Sequence, residues 1–158
     1  MMFKKPKRFT VVTGKGRSSI SSLNAVDKAM IDASIGELNL IKVSSVLPEG
    51  IEKKDEIHAE VGELVPAVLS ESTGEDEEIA AGVAWGFRKD KKGGYVMEMS
   101  SSSESIDLGE FENELENRLN DMGDSRDVDL VEVGSRCEKM VVGEDESGCV
   151  IAGLVFLP

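Results

Sequence analysis

Histidine is nearly absent from the chain: His58 is the only one, set in a charged, loop-like stretch. A histidine-based triad or a His-rich metal cluster has almost nothing to be built from, so a surface role is expected for His58. Cysteine is scarce too. Cys137 and Cys149 stand apart without CxxC spacing, which excludes the common zinc and thioredoxin-like patterns and leaves reduced thiols as the expectation. No run approaches the roughly 20 apolar residues of a membrane-spanning helix, and the basic stretch from Met1 to Arg8 lacks the apolar segment of a signal peptide. The expected location is the cytoplasm. Positive charge is in short supply: 18 basic residues face 31 acidic ones, for a formal net charge of -13. Nucleic acid and anionic membranes would be repelled over most of such a surface, whereas a cationic substrate would not. The same acidity also serves solubility.

What is present suits one domain over residues 1–158, long enough for a full core. Phe9 to Thr13 are β-branched and aromatic and read as a strand, with Gly14-Lys15-Gly16-Arg17 as the turn after it; the Gly-Lys pair does not fit the phosphate-binding GxxxxGK[ST] pattern. A helix fits from Ser22 or Leu23 to Ile35, with Ser22 as cap, Leu23, Val26, Met30 and Ala33 as its apolar stripe, and Gly36 as its stop. Asp27 lies beside that stripe, where it can be an ordinary solvated carboxylate. Pro48 to Glu56 reads as an exposed loop. Leu64 to Ser70 reads as a strand whose Pro66 favours an edge or a bulge, and Ile79 to Arg88 as a strand with a bulge. Tyr95 to Met99 begins another, with Ser100 to Ser103 as a connection. Asp107 and Glu110 cap the strongest helix, whose stripe is Leu108, Phe111, Leu115, Leu119 and Met122, ended by Gly123. Two final strands span about 128–142 and 149–157, joined by a hairpin turn at 143–148 rather than a calcium loop. The order of elements predicts an α+β fold, mostly antiparallel sheet with two main helices.

One stretch carries candidate chemistry. Asn39 to Pro48 (NLIKVSSVLP) reads as a buried strand that delivers two adjacent serines to a turn. The Ser45 hydroxyl can attack the Ser44 carbonyl, converting the peptide bond to an ester. Elimination then frees the Ser44 carboxylate and leaves dehydroalanine at position 45, which tautomerises and hydrolyses with loss of ammonia to a pyruvoyl group. Such a carbonyl forms a Schiff base with an amino acid and accepts the electrons left when carbon dioxide departs, in the role of pyridoxal phosphate. Ser-Ser pairs also occur at Ser18-Ser19 and Ser21-Ser22, so the pair alone is compatible with two small residues ending a strand. Glu98 is a carboxylate within an apolar strand; strict alternation puts it on one face with Val96 and Ser100, a face that can equally be solvent.

The segment Leu23-Asn24-Ala25-Val26-Asp27, then Gly36, then Asn39-Leu40-Ile41 running into Val43-Ser44-Ser45-Val46-Leu47-Pro48, followed by Gly62-Glu63-Leu64-Val65-Pro66 and Val96-Met97-Glu98, resembles the pyruvoyl-dependent arginine decarboxylase family. The resemblance covers most of the chain from about Phe9 onward. It implies a four-layer αββα sandwich, a homotrimer of αβ units or a dimer of trimers with active sites between subunits, and cleavage between Ser44 and Ser45 into a β chain (1–44) and an α chain (45–158). It further implies a covalent pyruvoyl group derived from Ser45, with no metal and no pyridoxal phosphate, and decarboxylation of arginine to agmatine, an entry to polyamine synthesis. Matching the motifs assigns catalysis to Ser45, Glu98 and Asn39, and substrate binding to Asp27 and Gly36. A buried Glu98 would hold a proton for the carbanion, Asn39 could donate its amide to a carbonyl or carboxylate, and Asp27 suits bidentate pairing with a guanidinium.

Asn39 and Ser45 are six residues apart, roughly 20 Å along an extended strand at about 3.3 Å per residue. One strand cannot bring both to one substrate, so a common site requires a second subunit. The charged run after Pro48 and Lys42 within the key strand bear on which amino acid is used. Two other readings stay open at this level: a pyruvoyl decarboxylase for another amino acid, and a non-cleaving acidic trimeric binding module of the same fold.

Overall fold

The computed structural model describes residues 4–158. Met1 to Phe3 of the basic N-terminal stretch lie outside the described residues. The strands are β1 (Arg8–Ser18), β2 (Asn39–Lys42), β3 (Val46–Leu47), β4 (Glu52–Lys53), β5 (Leu64–Gly74), β6 (Glu78–Arg88), β7 (Gly94–Ser103), β8 (Leu130–Val141) and β9 (Ser147–Leu157); the helices are α1 (Ser22–Asp32) and α2 (Leu108–Asp124). They form a five-stranded sheet ordered β2-β5-β9-β1-β4 and a four-stranded sheet ordered β3-β7-β6-β8. Pairing is antiparallel except for β1 with β4 and β2 with β5.

Three apolar clusters define the layers. Phe9, Val68, Ile79, Val83, Val96 and Leu154 fill the space between the sheets. Ala25, Ala29, Ala33, Val65, Leu69 and Ile151 join α1 to the outer face of the first sheet, and Phe111, Leu115, Leu119, Ala80, Ala84 and Tyr95 join α2 to the second. Burial of alternate residues on opposite faces of each sheet therefore produces the four-layer αββα sandwich. Among the described residues, no helix is long and apolar enough to cross a membrane.

The glycines expected to turn the chain after β1 instead lie inside it. β1 continues through Gly14 and Gly16 to Ser18, paired with β9 over its whole length. A Cβ on Gly14 would run into the Ala29 carbonyl, and one on Gly16 into the Ala25 carbonyl. The missing side chains let α1 lie on β1 almost backbone to backbone, with Ala25, Ala29 and Ala33 as the matching small residues. Ser21, not Ser22, caps α1: its hydroxyl accepts from the Asn24 amide at 3.1 Å. The helix stops at Asp32, two residues before Ser34 takes a left-handed φ of 63°, and Gly36 is needed for space, since a Cβ there would meet Ile31 Cγ1 at 2.7 Å.

Other departures have similar local reasons. Ser100 to Ser103 are not a connection but the end of β7, paired with β6 from Ala81 back to Glu78. Across the sandwich, Ser70 donates to the Met99 carbonyl at 2.5 Å and Ser72 to that of Ser101 at 2.9 Å. Pro66 lies in an interior strand, but the β5–β9 pairing begins only at Ala67, so no ladder bond is lost to the missing N–H. Glu52 and Lys53, within the expected loop, pair briefly with the start of β1. The bulge expected in β6 lies on the facing strand: between Trp85 and Phe87 the extra residue belongs to β8, between Val131 and Gly134, where Glu132 takes a φ of 52°, while β6 pairs with β7 without a shift. The expected cap of α2 is present, with Asp107 Oδ1 accepting from the Glu110 amide at 3.1 Å.

The close contact of α1 on β1 gives a direct test. Gly14→Val should lift α1 and cost about 3 kcal/mol, a fall in Tm of roughly 6–12 °C for a chain of this size. Thermal unfolding followed by circular dichroism measures it, and an unchanged Tm would contradict the packing.

Candidate active site

The two sheets are joined by a crossing of three residues. β2 lies at the edge of the five-stranded sheet and β3 at the edge of the four-stranded one, so Val43, Ser44 and Ser45 carry the chain from one to the other. Each end is pinned. The Val43 amide donates to the Ala67 carbonyl at 3.1 Å, and the Val96 amide donates to the Ser45 carbonyl at 3.0 Å. The Ser44–Ser45 peptide lies between these anchors. Among the described residues its own carbonyl and amide find no backbone partner, and neither serine hydroxyl is hydrogen-bonded. Ser44 is exposed and Ser45 half-buried.

Glu98 stands beside this crossing, two residues along β7 from the amide that holds Ser45. The expected alternation holds: Val96 belongs to the inter-sheet core, while Tyr95, Met97 and Met99 pack toward α2. Glu98 shares Val96's face, but β3 is only two residues long and leaves β7 uncovered there. Its carboxyl lines a cavity of about 430 Å³ with Lys42, Ser70, Glu71, Ser100 and Arg118. Although the residue is exposed in the single chain, burial by surrounding protein raises the Glu98 pKa, and the Lys42 ammonium works against that rise.

Asp27 and Gly36 lie on one cavity, a second of about 370 Å³, walled by Val26, Met30 and Leu40 among other apolar side chains. Asp27 is exposed and makes no ion pair among the described residues. Lys42, Leu69 and Glu71 line both cavities, so the Asp27 and Glu98 pockets share a wall.

Asn39 is not brought to Ser45. It begins β2 opposite Leu64, and its side-chain amide donates to the Gly62 carbonyl at 3.0 Å. His58 is on the surface, 3.4 Å from Glu56. Both cysteines are free; burial pushes the Cys137 thiol up to about 11 and the Cys149 thiol to about 12, so both stay protonated at neutral pH. A cavity of about 400 Å³ at the other edge of the sandwich, lined by Asp32, Asp55 and Arg136, contains none of these site residues.

A model of the family described as pyruvoyl-dependent arginine decarboxylase matches residues 8–158. The chain belongs to this family. Relatives bearing the same description include one from Methanopyrus kandleri, 42% identical over 69 residues (44% of this chain, 45% of the relative). A second, from Methanococcus aeolicus, is 36% identical over 102 residues (63% and 61%); a third, from Thermococcus kodakarensis, is 34% identical over 103 (63% and 65%). The matched stretches thus span less than two thirds of each of these relatives. Sequence reasoning did not single out Glu71, which lines both cavities, or the Val96 amide, which holds the Ser45 carbonyl. Continuing the β5 alternation past Ser70 would have found Glu71, but nothing local marks a backbone N–H as special.

The raised Glu98 pKa has a stability consequence. A carboxyl whose folded pKa lies above the ordinary 4.5 favours the fold while protonated, and that contribution is lost as pH rises through the raised value. Glu98→Gln should therefore be more stable than wild type at pH 7, with the difference vanishing below about pH 4, where the carboxyl is neutral in both states. Urea unfolding at the two pH values checks this; equal stabilities at pH 7 would contradict the burial of Glu98.

Proposed function

We propose that this chain is the precursor of a self-processing, pyruvoyl-dependent decarboxylase that converts L-arginine to agmatine and carbon dioxide. The observation that carries this reading is the Ser44–Ser45 peptide held between two anchored points with a raised-pKa carboxyl beside it. Ser45 Oγ attacks the Ser44 carbonyl and the C–N bond becomes an ester. Loss of the Ser45 α-proton expels the Ser44 carboxylate, and water replaces nitrogen at position 45 with release of ammonia. Val96 fixes the Ser45 carbonyl throughout, because its amide reaches that oxygen from a strand that remains in place. This is the setting that a covalent pyruvoyl group needs: it is chain-terminal, anchored at its own carbonyl and open on one side.

That group supplies a carbonyl that captures the substrate's α-amine and takes up the electrons left by carbon dioxide. The chain's own residues do the rest. Glu98, its pKa raised by burial, delivers a proton to the α-carbon. Asp27 receives the guanidinium, with the apolar wall of its cavity along the methylene stem. Gly36 keeps that cavity open where a side chain would crowd Ile31. The protein's net charge of -13 favours approach of a cation.

A second copy of the chain completes the site, as a homotrimer of αβ units or a dimer of trimers. Around the open edge, Leu23 is 79% exposed, Val46 57%, Val43 41% and Ile41 38%, an apolar rim of the sort that association covers. Asn39, distant from its own Ser45, then serves a neighbour's.

On denaturing gels the wild type should give chains of 44 residues and, by 158 − 44, of 114 residues, and Ser45→Ala should remain whole. Borohydride in the presence of arginine should label the longer chain, while labelling by histidine or aspartate instead would replace arginine as substrate. An intact wild-type chain would favour a non-catalytic trimeric module. Glu98→Gln, once cleaved, should lose about 10²- to 10⁴-fold in kcat, and wild-type kcat should fall as pH rises through the Glu98 pKa. The charged groups around that carboxyl are Lys42 of β2, Glu71 of β5 and Arg118 of α2.

A further inference from the structure

We propose that Lys42 selects the substrate's α-carboxylate, holding it in the Glu98 cavity and so separating the amino acid from its decarboxylated product. The inference rests on the decarboxylase reading, but it concerns a residue that reading does not use.

Proton delivery to the α-carbon requires that carbon to come close to the Glu98 carboxyl, so the substrate carboxylate attached to it must enter the same cavity. Two acidic side chains, Glu71 and Glu98, already line that space. A third carboxylate is repelled wherever either is ionised, unless a cation offsets it. Two cations line the cavity, Lys42 and Arg118. Arg118 is committed to Glu114, one helical turn away on α2, at 2.7 Å. Lys42 makes neither an ion pair nor a side-chain hydrogen bond among the described residues, although Glu71 and Glu98 line the same cavity.

Its place is fixed by the crossing. Lys42 is the last residue of β2, paired with Ala67 and followed by the anchored Val43 amide, so its stem starts from a rigid point at the shared wall of both cavities. Agmatine retains the guanidinium and lacks the carboxylate. It therefore loses the attraction of Lys42 and keeps the contacts of Asp27, which favours release of product over substrate.

The test compares arginine with agmatine on cleaved enzyme, with rates normalised to the cleaved fraction. In Lys42→Met the KM for arginine should rise about two- to fivefold, the size expected of a partly exposed ion pair, while the inhibition constant of agmatine stays constant or falls. Lys42→Arg should keep the wild-type ratio of the two constants. In the wild type, argininamide, with a neutral amide in place of the carboxylate, should bind no more tightly than agmatine; this arm holds even if the Lys42 variants do not process. A Lys42→Met enzyme in which the two constants move together or not at all, or a wild type that binds argininamide as well as arginine, overturns the role of Lys42. Absence of carbon dioxide release from arginine by the wild type overturns the decarboxylase reading itself.

Discussion

Everything in this molecule depends on how two sheets share one chain at the Val43–Ser45 crossing. Two backbone hydrogen bonds, from Val43 to Ala67 and from Val96 to Ser45, tie its ends to opposite sheets. The peptide between them belongs to neither sheet. That position also decides what a cut would do. The segment before it contributes β1 and β2, and both pair with strands that follow it: β1 with β9 along eleven residues, β2 with β5 along four. Phe9, Ala25, Ala29 and Ile35 stay buried against the later part of the chain. Cleavage at Ser44–Ser45 would thus release a covalent link without releasing the fragment, since the buried area holding it does not pass through the bond.

The same geometry explains why the site is open. β3 is too short to cover β7, and β2 ends before it covers the far half of β5. Ser70, Glu71, Glu98 and Ser100 line the gap these two short strands leave, with Ser70 buried, Glu71 half-buried and the other two exposed. A cavity between two unfinished sheet edges can take polar residues without disturbing either core, and the acidic character of the protein is locally interrupted there by Lys42.

Much of this was legible in the residues, for reasons that differ by element. The α2 helix announced itself through a capping pair and a regular stripe, both local signals. The Asn39–Pro48 stretch was expected as one buried strand running to a turn, but it is an exposed edge strand of four residues, a three-residue crossing and the two residues of β3, because its apolar residues face a sheet edge that this chain alone leaves open; the motif around it named Asp27, Gly36 and Glu98. What local sequence did not carry was distance in space. Gly14 and Gly16 look like turn residues because glycine is flexible, yet they are strand residues because glycine is small and α1 lies against them. Ser100 to Ser103 look like a linker because serine shows no apolar alternation, yet their backbone is locked to β6 and, at Ser101, to the Ser72 hydroxyl of β5. Asn39 was legible by motif only; the partner it would serve lies beyond its own chain.

The central claim is that Ser44–Ser45 is a bond the protein breaks to make its own carbonyl. Intact mass spectrometry of the purified wild type tests it most directly. The account predicts two species, a short chain ending at Ser44 and a long one lighter by one ammonia than a chain beginning with serine, their masses summing to the precursor plus water minus ammonia. A single species at the precursor mass, or a long chain that keeps an ordinary serine amino terminus, would contradict it.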